Sequence, residues 1–278
     1  MQKLLLFPGG PGFNANPELQ LLKEEYAEAG LDLLCWHEPS RQRPQGYPYS
    51  GENAFRHYLN SAEQFLTAHY EDVPLVLFGH CFGTHAVRYL MSAHPEKIAC
   101  SVLVTPDFCL GKTDRNLLRL VMEDYRKHGD ERAGALQVIL DSYTGTFDTN
   151  TEAGFQLVAQ NPRLFIYYWP DETQMLRFVQ HYSGPEYAVD ATGFFDVRRS
   201  WFEAASGPSS IPVLTLYGKH DAIISVEDEI KNLPRYFTRL RIEDVPDTGH
   251  YPHIESSGSV LSRIKTFMET AMRAAEPV

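Results

Sequence analysis

The sequence predicts an α/β protein: a mostly parallel sheet of about six strands carrying an inserted helical lid. Three observations support this. Short apolar runs alternate with segments of helical period up to about residue 105. Between about 110 and 208 only the helical period persists, and at 211–218 the strand pattern resumes. Alternating strands and helices require right-handed crossovers between parallel neighbours. The expected organisation is therefore a core of residues 1–109 and 209–278, with 110–208 as a lid over the carboxyl edge of the sheet, where ligands bind in open α/β sheets.

The elements follow in order. Residues 3–7 form an apolar strand that runs into the loop Pro8-Gly9-Gly10-Pro11-Gly12. Leu19, Leu22, Tyr26 and Ala29 give residues 17–29 a helical period, and Gly30 is a C-terminal stop. A strand at 31–36 leads into a turn-rich stretch with Pro39, Pro44 and Pro48. Phe55, Leu59, Ala62, Phe65 and Leu66 share one face of a helix over 51–70, with Ser50 as its expected N-cap. An apolar strand from Leu75 stops at Gly79, and Ala86, Val87, Leu90 and Met91 then recur at helical spacing. A strand at 98–105 precedes the insertion. After it come a strand at 211–218, a helix at 226–233, a strand at 238–245 and an amphipathic helix at 257–274.

Composition excludes several functions. A formal net charge of -11 over 278 residues argues against nucleic acid or anionic membrane surfaces as partners. No apolar run approaches the roughly 20 residues needed to span a bilayer. The apolar start is cut short by Pro8 and is too brief for the h-region of about 7–15 residues in a secretory signal, so a cytoplasmic location is expected. Four cysteines without close spacing indicate neither a disulfide framework nor a zinc site. No His, Asp, Glu or Cys cluster has metal-ligand spacing, and no cofactor is expected. Cys35, Cys100 and Cys109 read as small core residues.

The segment Gly79-His80-Cys81-Phe82-Gly83 places a thiol at the apex of a strand–turn–helix. A Cβ at either flanking glycine would collide with the neighbouring strand or helix. The pentapeptide resembles the nucleophile elbow of the α/β-hydrolase family, with Cys in place of the usual Ser. In that family the oxyanion loop follows the third strand, after an antiparallel hairpin. Here it follows the first, so the hairpin is expected to be missing.

A nucleophile needs a base, an orienting acid and an oxyanion hole. Asp247-Thr248-Gly249-His250 follows the last strand and offers His250 as base; Gly218-Lys219-His220-Asp221 follows the preceding strand and offers Asp221 as acid. The chain order nucleophile, acid, base matches this fold. Asp107, just beyond the strand ending at Thr105, is the rival acid. The amides of Phe82 and Gly10 would hold the oxyanion, each contributing about 2.7–4 kcal/mol. Gly9, His80 and two tryptophans of the aromatic-rich stretch 165–202, Trp169 and Trp201, are candidate substrate contacts. His85 reads as a packed helix residue, His253 as a capping or pocket-rim residue, and Arg198 and Arg199 as solvated charge.

Phe7-Pro8-Gly9-Gly10-Pro11-Gly12 also resembles the HGGPG box of prolyl iminopeptidases, with Pro8 where that box has His. Thr248-Gly249-His250-Tyr251-Pro252-His253-Ile254-Glu255 is similar to their C-terminal histidine motif. The Cys nucleophile, and Trp36-His37-Glu38-Pro39-Ser40-Arg41 in place of their Asp-Gln-Arg-Gly, set the chain apart from an aminopeptidase. Glu172, Glu186 and Glu203 are available in the lid to bind an amino terminus.

A thiolate nucleophile makes a thioester, which amines and thiols attack far faster than they attack oxoesters. Hydrolysis of an activated ester, lactone or thioester is therefore the first expectation, as in the dienelactone hydrolases, which use Cys on this fold. Acyl transfer or cyclisation onto an amine, alcohol or thiol is the second, a prolyl-iminopeptidase-like peptidase the third, and a non-catalytic small-molecule receptor the fourth. The partner in each catalytic case is a small-molecule or carrier-bound acyl substrate.

Overall fold

A computed structural model describes residues 1–39, 51–182 and 189–273 of the chain. Six strands form one sheet in the order β2-β1-β3-β4-β5-β6, every pair parallel. They are β1 (Gln2–Phe7), β2 (Leu31–Cys35), β3 (Leu75–His80), β4 (Ile98–Val104), β5 (Val213–Gly218) and β6 (Leu240–Val245). The expected strands thus all form. No antiparallel strand is present among the described residues.

Strand periodicity builds the core on both faces. In β1, Leu5 and Phe7 pack with Phe55, Tyr58 and Leu59 of α2 (Ala54–His69) and Val87 and Leu90 of α3 (Gly83–Ala93). Leu4 and Leu6 point the other way, to Leu22 and Tyr26 of α1 (Asn16–Glu28) and to Val260, Ile264 and Phe267 of the C-terminal helix. Every residue of β3 and β5 is buried, as central parallel strands covered by helices on both faces must be. Gly30, at φ +84°, ends α1 as expected. The expected N-cap Ser50 lies outside the described residues.

Between β4 and β5 the described residues form five α-helices: α4 (Leu110–Lys127), α5 (Arg132–Ser142), α6 (Thr149–Ala159), α7 (Glu172–Val179) and α8 (Ala191–Arg199). Three start on aspartate caps. Asp148, Asp171 and Asp190 accept the amides of Thr151, Thr173 and Gly193 at 2.8–2.9 Å. After β5 come α9 (Val226–Asn232), then β6, the short α10 (Pro252–Glu255) and α11 (Ser257–Arg273).

The chain goes from β1 outward to β2 and returns on the other side as β3, so the direction of winding reverses between β1 and β3. Phe7 pairs with Gly79 there, at the carboxyl ends of both strands. The Pro8–Gly12 loop and the turn at Cys81 therefore lie side by side at the switch point, where such sheets bind ligands. Their closeness depends on glycine. A Cβ at Gly79 would lie 2.9 Å from Val87 Cγ2, and one at Gly83 would overlap the carbonyl oxygens of Phe7 and Pro8. Gly83→Ala is accordingly expected to cost about 3 kcal/mol, read as a lowered urea midpoint. A midpoint unchanged from wild type would show that the strand end gives way without cost.

Candidate active site

Cys81 caps the turn after β3 at φ +48°, a left-handed conformation uncommon outside glycine. Its carbonyl accepts the amide of Thr84 at 3.1 Å and the Thr84 hydroxyl at 2.6 Å, and its amide donates to Val104 O at 3.0 Å. The half-buried thiol thus stands free at the apex, immediately before the N-terminus of α3.

His250 comes from the loop after β6. Glu255 folds that loop by accepting the amides of Gly249 and Tyr251 at 2.9–3.0 Å. The His250 amide donates to Tyr168 O at 2.9 Å, and its carbonyl accepts His80 Nε2 at 2.9 Å and Thr105 Oγ1 at 3.1 Å. The ring is therefore fixed from both the sheet side and the insertion. Nδ1 lies 2.9 Å from Asp221 Oδ2, while Asp221 Oδ1 accepts the amides of Ile223 and Ile224 at 2.8 and 3.1 Å. Since a carboxylate only accepts, Nδ1 carries the proton. Nε2 is then the nitrogen left for the Cys81 sulfur, whose proximity favours the charged imidazole.

Both His250 and Asp221 are sealed from solvent, with side chains 1% and 0% exposed. Burial opposes charge on the imidazole. The Asp221 carboxylate and the Cys81 sulfur outweigh it and raise His250 well above its ordinary range.

A cavity of about 130 Å³ opens over this group. Gly9, Gly10, Cys81, Phe82 and His250 form its floor, and Phe13, Phe155, Phe165, Tyr168 and Phe194 supply aromatic walls. Asp107, Thr113, Asp114 and Arg198 make one polar corner. There Arg198 Nη2 donates to both carboxylate oxygens of Asp114 at 2.5 Å, and Tyr143 OH donates to Asp114 at 3.1 Å.

The structure brings Cys81, Asp221, His250, Gly10, Phe82 and Gly9 together. Asp107 lines the same cavity but accepts from the Thr113 hydroxyl at 2.7 Å, and it is Asp221 that meets the imidazole. Burial pushes Asp107 up to about 6, with Arg198 opposing. Three expected substrate contacts lie elsewhere. His80 is fully buried behind the turn, Trp169 is stacked at 4.6 Å on Tyr251, and Trp201 packs against Phe55 and His85 and lines a separate surface cleft.

Other residues of the sequence reading are also placed. His85 is packed as expected, its Nε2 2.9 Å from Asp107 O. His253 is fully buried rather than at a rim. Arg198, expected in solvent, is 6% exposed and sits in the cavity wall, whereas Arg199 pairs with Glu152 and Asp196 nearer the surface. Glu172 is exposed, Glu203 pairs with Arg88, and Glu186 lies outside the described residues. The Asp114–Arg198 pair had one legible trace. Asp114 falls on the apolar stripe of α4 with Leu117, Leu118 and Val121, where a charge needs a buried partner.

The model for the alpha/beta hydrolase fold matches residues 4–257, and the chain belongs to that family. No curated protein matches it. Among solved structures it is similar to a proline iminopeptidase-related protein from Thermus thermophilus, with a TM-score of 0.69 and 17% identity over 98% of this chain and 91% of that one. It is also similar to the proline iminopeptidase of Mycobacterium smegmatis (TM-score 0.66, 12% identity, 99% and 91% covered). A thermophilic esterase from Thermogutta terrifontis aligns with a TM-score of 0.60 at 17% identity, over 98% and 91% of the two chains. At these identities the likeness is one of fold.

The raised His250 value has a sign that can be tested. The charged ring contributes stability that is complete below the free-histidine value of about 6.5 and is lost as pH rises through the folded value. In an NMR titration the His250 midpoint should lie above about 6.5 and fall in Asp221→Asn, because a raising charge is removed. A wild-type midpoint below the free value would contradict the pairing.

Proposed function

We propose that the protein is an acyl-transfer enzyme that hydrolyses a small activated ester, lactone or thioester through a thioester on Cys81. The observation that carries this reading is the position of the His250 ring, bound to Asp221 through Nδ1 and lining, together with the half-buried Cys81, a cavity with aromatic walls. In the first step the Cys81 thiolate attacks the acyl carbon, and the carbonyl electrons move onto oxygen, held by the amides of Phe82 and Gly10. The oxyanion then collapses, the leaving group departs, and His250 gives it a proton from Nε2. In the second step His250 takes a proton from water, hydroxide attacks the thioester, and thiolate is expelled.

Substrate class follows from leaving-group competition. A thiolate leaves the first tetrahedral adduct more readily than an alkoxide or amine anion does, so productive acylation requires an activated acyl donor. Size follows from the cavity. At about 130 Å³ it is close to the apolar hole of about 150 Å³ that accepts benzene, so the acyl part is ring-sized or a short chain. The Asp107–Asp114–Arg198 corner would receive a polar end of the substrate. Helices α4–α8, within residues 110–208, act as the lid on a core made by 1–109 and 209–278. Tyr168 supports this role because it both lines the cavity and binds the His250 amide.

A second reading, acyl transfer to an amine, alcohol or thiol, shares the first half of the cycle. It is favoured by thioester chemistry, because amines and thiols attack thioesters readily. The peptidase reading is weakened by Glu203, which is paired with Arg88, and by Glu172, which faces solvent.

Turnover of small aryl esters and acyl thioesters tests this. Cys81→Ala should lower kcat/KM by on the order of 10³-fold or more. Asp221→Asn should lower it nearly as far, and Asp107→Asn much less. Adding a primary amine should divert product to amide in a transferase and leave the free acid dominant in a hydrolase. Turnover retained in Cys81→Ala would overturn both readings.

A further inference from the structure

The region behind the turn holds a polar group that the acyl-transfer cycle does not use. Glu18 of α1, His80 at the end of β3 and His253 of α10 each offer one donor atom, and these atoms lie within 4.8 Å of one another. All three side chains are sealed from solvent, at 1%, 0% and 0% exposure. Such groups are expected to be fully hydrogen-bonded. Here Glu18 Oε2, His80 Nδ1 and both ring nitrogens of His253 have no hydrogen-bond partner among the described residues. His253 Nε2 lies 4.0 Å from Glu18 Oε1, beyond hydrogen-bond distance. One carboxylate oxygen and three imidazole nitrogens in this buried group thus stay unpaired, and a cation would satisfy them.

The orientation of His80 adds a second, independent argument. Its Nε2 lies 2.9 Å from the His250 carbonyl, which can only accept, so in the neutral ring Nε2 carries the proton and Nδ1 bears a free lone pair. A ring nitrogen donating to a backbone carbonyl while the other stays bare is the arrangement that orients metal-bound histidines.

We propose that Glu18, His80 and His253 form a binding site for one divalent transition-metal cation, zinc by its donor set. Two imidazole nitrogens and one carboxylate oxygen suit zinc, whose bonds to such atoms are about 2.0–2.2 Å. Donor atoms around such an ion lie about 3.4 Å apart, so the atoms of this trio, now within 4.8 Å of one another, draw together as the shell closes. The ion would tie three separate segments together: α1, the turn that carries Cys81, and the loop that carries His250. Through the His80 hydrogen bond it would also fix the carbonyl of His250. The site holds the framework and takes no part in the acyl steps, so it stands independently of the proposed reaction.

The test is metal content on the intact protein. Elemental analysis of wild type purified without added chelator should find about one zinc per chain, retained through dialysis. Full-length protein produced with cobalt in the medium should show the visible absorption of tetrahedral Co²⁺. Glu18→Gln and His253→Asn should each lose the metal, and circular dichroism identifies any variant lost through misfolding. The wild-type cobalt spectrum decides the matter even if both variants misfold. Wild type free of transition metal, taking up neither zinc nor cobalt, would overturn the proposal and assign the trio to buried water. Uptake of only magnesium or calcium would overturn it equally, because those ions require oxygen-rich shells.

Discussion

The tight contact between the turn at Cys81 and the end of β1 is the constraint on which the site depends. Gly83 sits so close to the Phe7 and Pro8 carbonyls that no side chain fits between them, and Cys81 accepts a left-handed backbone as a result. A non-glycine residue in that conformation is held against about 1–2 kcal/mol, which the surrounding packing must supply. The return is positional. The thiol, the first turn of the following helix and the loop after β1 are set side by side at the cavity.

Around that turn, buried charge is matched on each side. Asp221 has one oxygen on two backbone amides and the other on His250, so the carboxylate is satisfied without solvent. Asp114 takes both Arg198 contacts and the Tyr143 hydroxyl. Removing one partner of such a pair leaves an uncompensated charge in the interior. His250 of the first pair and both members of the second line the same cavity.

The inner strands were legible because a strand buried on both faces writes itself as an apolar run, whereas the edge strands β2 and β6, half-exposed and carrying Asp32 and Arg241, Glu243 and Asp244, were legible from their flanking turns and helices. The convergence of Cys81, Asp221 and His250 was legible for a related reason. Each lies in a loop directly after a strand, and parallel strands deliver all such loops to one edge. Side-chain direction within the insertion was not legible. Trp169 and Trp201 sit in an aromatic-rich stretch whose composition is the same whether a ring lines a cavity or fills a core, and both turned away. Arg198 looked like solvated charge because its partner Asp114 lies 84 residues earlier on another helix. The Glu18, His80 and His253 cluster escaped notice for the same reason, since no short spacing links three residues from three elements.

The insertion and the sheet meet at His250, whose amide is held by Tyr168 and whose ring is held by Asp221. The proposed reaction requires a covalent bond between the Cys81 sulfur and an acyl carbon. Intact-mass measurement of wild type and Cys81→Ser, quenched in acid seconds after mixing with an acyl thioester, asks directly whether that bond forms. The account predicts a mass increase of one acyl group on wild type, mapped to the peptide bearing Cys81. An acyl group carried by any other residue, or an unmodified chain under conditions of turnover, would contradict it.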